Sequence, residues 1–420
     1  MTSQSDKPAG RSPLRYFDIV RLYNESSLGV KILVGMIIGG VIGLLLGERA
    51  TAVRPIGDLF IRLLLMAAIP LVFFNLAAGI TSLKNIGVLS RFGVRTVGYY
   101  LCTTTMALAL GLLITHWFKP GVGMQLTQSV DGGFGEVPAV GQIVLDLFPA
   151  NVFRAFAEGN VAQVVVFSLF IGIATLLLPS EPRAKIEDGI SVAAQLFRKL
   201  VDVILKFGPI GVGALAAVTI GEHGEKIFGP LAKFIGSVWF AQALMVLFYS
   251  VILLTISRRN PLRWLKKTSS LYATTAATCS SLASLVVAMD IAEKYLKIPR
   301  SVFSFTLPLG AQLNKDGTSI MLAAVLLFTA QAAGVEFTLT EQITIVLIGL
   351  LLSEGSGGIP GGGLVIALIF VEAFNLPVEV AGIVAGIYRL IDMGSTTVNV
   401  MSDLVWTTVL SDIEKRSGNS

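Results

Sequence analysis

Histidine, cysteine and charge are all scarce in this chain. Two histidines, His116 and His223, stand far apart, which argues against chemistry that needs a histidine base beside a nucleophile. Glu354-Gly355-Ser356-Gly357 also misses the G-x-S-G pattern of an intramembrane protease. Two cysteines, Cys102 and Cys279, fall in different apolar segments, so neither a disulfide framework nor a zinc site is indicated, and both are expected to be buried thiols. Charged residues are only 14% of the chain against 54% hydrophobic, with a mean hydropathy of +0.77, a surface on which a soluble protein of 420 residues would aggregate. The net charge of +5 is no argument for nucleic acid, because Lys and Arg cluster in the short segments between hydrophobic runs.

What is present is apolar sequence in runs long enough to cross a bilayer. The fold class is all-α, a polytopic membrane protein. Spans are expected at about 29–46, 56–80, 93–118, 162–178, 196–220 and 231–256. The N-terminus lacks the layout of a signal peptide, and Arg15–Tyr23 is an apolar-basic mixture suited to the membrane surface. Lys84, Arg91 and Arg95, then Arg183 and Lys185, then Arg258, Arg259 and Arg263 alternate with less basic connections, which places them and both termini on the cytoplasmic side. The long connection carrying Asp131, Glu136, Asp146 and Glu158 falls outside.

Two later regions are poor ordinary spans. One is interrupted at Thr274, Thr275, Thr278, Cys279, Ser280, Ser281 and Ser284, the other at Ser353-Glu354-Gly355-Ser356-Gly357-Gly358-Ile359-Pro360-Gly361-Gly362-Gly363. Each leaves two half-length apolar pieces, so a pair of re-entrant helical hairpins is expected, entering from opposite sides with irregular tips that line a cavity. The Gly-rich run has no Lys-Ser/Thr for a phosphate loop. Two further spans, about 301–333 and 377–410, give eight transmembrane helices plus two hairpins, arranged as an inverted repeat.

The last span carries the polar centre. Asp392, Asn399 and Asp403 are offset by seven and eleven residues, within roughly 20° of one helical face, with Ser395 and Thr396 beside them. A carboxylate at mid-membrane costs ~2.5 to 3.5 kcal/mol or more, so two on one face predict an ion or substrate site rather than helix glue. Gly310, Asn314, Lys315, Asp316, Gly317 and Thr318 break the preceding span, and such broken backbone with Asn and Asp oxygens suits a small cation. Tyr100, Thr103 and Thr104 form a polar edge at i, i+3 and i+4, for which plain helix packing is the alternative.

SFTLPLGAQLNKDGT (Ser304–Thr318), GGIPGGG (Gly357–Gly363) and DMGSTTVNVMSD (Asp392–Asp403) resemble the signature blocks of the dicarboxylate/amino acid:cation symporter family, the glutamate and neutral amino acid transporters. The resemblance is dense from about Thr268 to Leu410. It implies a homotrimer in the bacterial inner membrane, with a fixed scaffold (29–80 and 120–230) and a transport unit (81–119 and 231–412, with hairpins at about 262–296 and 340–375) that moves as an elevator between a 1–28 N-terminal segment and a 413–420 tail. It implies a small amino acid as partner, no cofactor, and sodium or a proton as a transported cation. By motif, Asp392 would hold the substrate amino group and Asn399 and Thr318 its carboxylate edge, with Ser280, Ser281 and Gly363 closing from the tips and Ser395 and Thr396 lining the site. One cation would take Gly310, Asn314, Asn399 and Asp403, another Tyr100, Thr103, Thr104, Asn314 and Asp316.

The departures from that pattern shape the functional expectation. Acidic amino acid carriers of the family have Arg where this chain has Ser395, and another Arg is often found where Cys279 stands. Ser cannot replace a bidentate guanidinium, so neutral amino acids are favoured, with a glutamate/aspartate or dicarboxylate symporter as the alternative. Arg389 is expected to partner Asp392. A channel with re-entrant gates is the alternative of another class. Sodium-coupled members have Met where this chain has Lys315, a small apolar residue where it has Glu354, and Thr where it has Gln312. A Lys315–Glu354 pair, beside the Pro360 tip, is expected to replace one sodium and latch the gate, the alternative being that both side chains reach water.

Overall fold

The computed structural model describes residues 28–81, 93–124, 145, 148–158, 160–224, 228–356 and 361–416. The expected surface segment Arg15–Tyr23, most of the acidic connection and the tip residue Pro360 lie outside the described residues, as does the side chain of Glu354. Among the described residues every regular element is helical. A helix is the one open structure that satisfies all its backbone groups without water, so an all-α chain follows from the composition.

The helices, in chain order, are α1 (Leu28–Leu46), α2 (Arg54–Thr81), α3 (Val94–Phe118), the short α4 (Val152–Ala157), α5 (Val161–Leu177), α6 (Ser180–Lys206), α7 (Gly208–His223), α8 (Phe228–Thr255), α9 (Pro261–Thr278), α10 (Ser281–Lys294), α11 (Arg300–Leu313), α12 (Asp316–Ala332), α13 (Leu339–Gly355), α14 (Gly362–Ala373) and α15 (Val378–Arg416). The run 30–81 and helices α3 and α8 are long and apolar enough to cross a bilayer, and α6 with α7, bent by 54°, makes a fourth candidate. Expected span 196–220 is thus two helices. Pro209 at the start of α7 has no N–H to continue α6, and a helix restarts there easily.

Both interrupted regions fold as helix pairs, α9 packing on α10 and α13 on α14. At the first tip Cys279 turns left-handed (φ 49°), its N–H bonding Thr275 O, and Ser280 Oγ then accepts from Ala283 N at 3.1 Å to cap α10. Helix α13 begins on a capping box in which Thr338 and Glu341 satisfy each other's backbone N–H. Asn314 and Lys315, in extended and intermediate conformations, separate α11 from α12.

The helices pack in two groups. In the first, α1 lies along α7, while α2 packs on α5, α6 and α7. Lipid tails are as apolar as side chains, so the α1–α7 contact depends on close backbone approach: a Cβ on Gly39 would sit 2.6 Å from Gly213 C, and Gly35 meets Pro209 in the same way. In the second, α12 and α15 form the core, surrounded by α3, α8, α9, α11 and α14. The far end of α15 is tied by charge, with Asp412 accepting two bonds from Arg259 at 2.7 Å and Glu414 pairing with Arg95 at 3.1 Å. Cys102 is exposed on α3, so the expectation of two buried thiols holds only for Cys279.

Candidate functional site

The polar face of α15 meets the start of α12, and the two predicted clusters become one. Asn399 Oδ1 accepts from Gly317 N at 2.7 Å and Thr318 N at 3.3 Å, while its Nδ2 donates to Thr318 Oγ1 at 3.0 Å. One amide thereby satisfies the first donors of a helix that has no capping side chain of its own. One turn further, Asp403 Oδ1 accepts from Asn314 Nδ2 at 2.8 Å. Gly310 faces the same point; a Cβ there would fall within 2.6 Å of Tyr100 Oη.

Asp316 is fully buried and accepts three hydroxyl bonds, from Thr104 at 3.0 Å, Tyr249 at 2.5 Å and Ser402 at 2.7 Å. Thr104 is therefore more than a packing residue. Thr103 bonds the carbonyl of Tyr100 and its hydroxyl also acts on Asp316, while Tyr100 bonds the carbonyl of Thr306. Asn314 Oδ1, with its residue wholly buried, has no hydrogen-bond partner among the described residues. An orphan acceptor in that position costs ~1 to 3 kcal/mol and is what an incoming cation would relieve.

Asp392 accepts from Thr396 Oγ1 at 3.2 Å, its second oxygen is buried without a close partner among the described residues, and the Tyr388 hydroxyl and the Gly361 N–H lie near enough to act on the same carboxylate. Arg389 is half-buried and its charge acts on Asp392. The first hairpin reaches this level, since Asp392 also acts on Cys279 and Thr275 bonds Thr397 at 2.8 Å. Ser280 and Ser281 are buried there, with Ser280 engaged in capping α10. From the second hairpin, Gly363 faces Thr318 and Tyr388. Ser395 Oγ accepts from Gln242 Nε2 at 3.0 Å.

Lys315 is 1% exposed, which rules out its reaching water. Its Nζ donates to Ala311 O at 2.8 Å, at the carbonyl end of α11, and its charge acts on Asp403. That is where the helix dipole favours a cation. Gln312 Oε1 lies 3.5 Å from Arg198 Nη2 of α6, whose Nε donates to Asn75 at 2.7 Å.

Tyr249, Ser402 and Gln242 were not anticipated from the sequence. Ser402 precedes Asp403 in the motif, and Gln242 is the only amide in the apolar run Phe228–Thr255, a signal a closer reading would have used. Tyr249 gave none.

Broken helices, paired hairpins and a buried stripe of carboxylates and amides define a membrane carrier with an enclosed site. The match to the Sodium:dicarboxylate symporter family over residues 28–413 is nearly chain-wide, and the chain belongs to that family. It is a cation-coupled integral membrane transporter rather than an enzyme. It is 33% identical to a proton/glutamate-aspartate symporter of Bacillus subtilis, with 92% of this chain and 95% of the relative covered. It is similar to a C4-dicarboxylate transport protein of Laribacter hongkongensis (31%, covering 92% and 90%) and to a proton/sodium-glutamate symport protein of Geobacillus stearothermophilus (29%, covering 92% and 94%).

Proposed function

We propose that the chain carries neutral amino acids across the bacterial inner membrane. The observation that carries this reading is the buried Asp392 carboxylate with Ser395, rather than an arginine, one turn after it. A buried carboxylate oxygen needs a donor, and a substrate ammonium supplies one. The substrate carboxylate would lie toward Asn399, Thr318 and the N-termini of α10 and α14, where partial positive charge collects. A side-chain carboxylate would meet no guanidinium at 395. The names of the relatives favour a second reading, an acidic substrate with Arg389 as its clamp; its position one turn before Asp392 fits a partner for that residue better.

The helix groups support an elevator in a homotrimer, with α1, α2 and α5–α7 as scaffold and α3 with α8–α15 as the moving unit, both termini cytoplasmic. For coupling, Lys315 sits where a backbone-bound sodium would lie. Two unit charges at ~4 Å and an effective dielectric of ~20 repel by about 4 kcal/mol, so a cation beside this ammonium is disfavoured. Arg198 near Gln312 adds to that field. The orphan oxygen of Asn314 leaves room for one transported cation, sodium or a proton, near Asp403 and Asp316.

Uptake into proteoliposomes from an amino acid panel, with and without sodium and proton gradients, tests the reading. Saturable counterflow of serine or alanine is expected, with loss of more than about a hundredfold in Asp392→Asn, equivalent to removing a charged hydrogen bond of ~3 kcal/mol. Strong aspartate uptake that serine and alanine fail to compete would sink it, and flux without counterflow would favour a channel.

A further inference from the structure

Gln242 comes from α8, a helix to which the sequence motifs assign no substrate role, yet its side chain is buried at 5% exposure against the Asp392–Ser395 turn. Its Nε2 donates to Ser395 Oγ at 3.0 Å. Its amide group occupies the space beside Gly394 where a side chain would begin, since a Cβ there would come within 3.0 Å of Gln242 Cδ and 3.3 Å of Nε2. The amide is thus seated in a notch that a glycine makes possible. Ser395 itself is 1% exposed, and its Cα backs onto Gly317 at the start of α12, so its hydroxyl has little freedom to turn elsewhere.

We propose that Gln242 is a specificity-determining residue that acts through Ser395, making the side-chain end of the substrate site uncharged and able both to give and to accept hydrogen bonds. This deepens the neutral amino acid reading and rests on it. A primary amide donates and accepts, and so does the hydroxyl it holds, which matches a substrate hydroxyl or carboxamide. A carboxylate is matched on its acceptor side only. The amide also fills the space behind position 395, so a long cationic side chain placed there meets Gln242 before it can reach a substrate. Selectivity therefore resides in the 242–395 pair, and changing 395 alone does not convert it. A site built to bond a substrate hydroxyl discriminates against the analogue lacking it far more strongly than an apolar pocket does.

The test is competition of unlabelled serine, alanine and aspartate against labelled alanine in counterflow, with the full-length carrier in vesicles. Wild type is expected to bind serine at least about tenfold better than alanine. In Gln242→Leu that ratio should fall toward one, and Gln242→Ala serves as the second variant should the leucine protein be poorly recovered. Ser395→Arg alone should gain little aspartate competition, whereas Ser395→Arg with Gln242→Ala should gain about tenfold or more over either single change. An unaltered serine-to-alanine ratio in both Gln242 variants, or a full aspartate gain from Ser395→Arg alone, overturns the role of Gln242. A wild type that takes up no neutral amino acid overturns the underlying reading instead.

Discussion

Lys315 is the residue whose chemistry departs most from a sodium carrier. It is buried, bonds the Ala311 carbonyl near the end of α11 and its charge acts on Asp403, and on the proposed reading it would supply in covalent form the charge that a mobile ion brings. Lys315→Met removes that charge, while Ala311 O and Asp403 keep their demand for a cation. The expected outcome is new or steeper sodium dependence of substrate affinity, by about tenfold between sodium-free and saturating buffer, stronger still with Glu354→Ile. Affinity measured against sodium checks this, and a wild-type Hill slope above two would exclude the tethered-charge account from the outset. At this scale the sequence was informative where chemistry sits on one element. Asp392, Asn399 and Asp403 share a face of a single helix, and 3.6-residue periodicity exposes them. Tyr249 and Gln242 are contributed by α8, and what aims them at Asp316 and Ser395 is the packing of α8 on α12 and α15, which no local pattern encodes.

Among the elements, those with unambiguous punctuation were legible. The small-polar cluster around Cys279 and the Gly-Pro-Gly run mark both hairpins, and the observed helices Pro261–Thr278, Ser281–Lys294, Leu339–Gly355 and Gly362–Ala373 fall within a few residues of expectation. Helix α15 runs past the expected span end at about 410 to Arg416, where ion pairs of Asp412 with Arg259 and Glu414 with Arg95 hold its last turns. The α6–α7 bend falls at Gly208-Pro209, and hydropathy does not mark it because both pieces are apolar enough to join. The α1–α7 pair offers a sharp test of how spans bind in this chain. Gly39→Leu places a side chain into the Gly213 backbone, and overpacking of this kind costs ~1 to 3 kcal/mol. Thermal unfolding of the detergent-purified protein should drop by several degrees. Leu45→Val on the same helix, where Leu45 is 79% exposed, should change it little, and equal effects from both would remove close packing as the source of the contact.

At the scale of the whole molecule, the proposed elevator requires the two helix groups to move past each other, and part of the boundary between them is an apolar cleft. Between α1 and α7 on one side and α8 and α15 on the other, a cleft of about 390 Å³ is lined by residues such as Met36, Val212, Leu231, Ile235 and Ile383. In its lining a Cβ on Gly386 would lie 2.9 Å from Met36 Cγ, a close approach of α15 to α1. The apolar walls of this cleft slide at low cost, although Arg198 of α6 reaches Gln312 of α11 elsewhere between the groups, whereas Thr306–Thr407 at 2.7 Å and Thr275–Thr397 at 2.8 Å hold the second group together from within. If the groups move past each other during transport, fixing the seam must stop it. A cysteine pair made by Met36→Cys and Gly386→Cys, in a Cys102→Ser background, should form a disulfide on mild oxidation and abolish counterflow, with recovery on reduction. The pair Thr306→Cys and Thr407→Cys lies within one group, so its cross-linking should leave counterflow reversibly comparable between oxidised and reduced vesicles. Undiminished counterflow at complete Met36–Gly386 cross-linking would show that transport proceeds without relative movement of the two groups, leaving only the hairpin tips to alternate access.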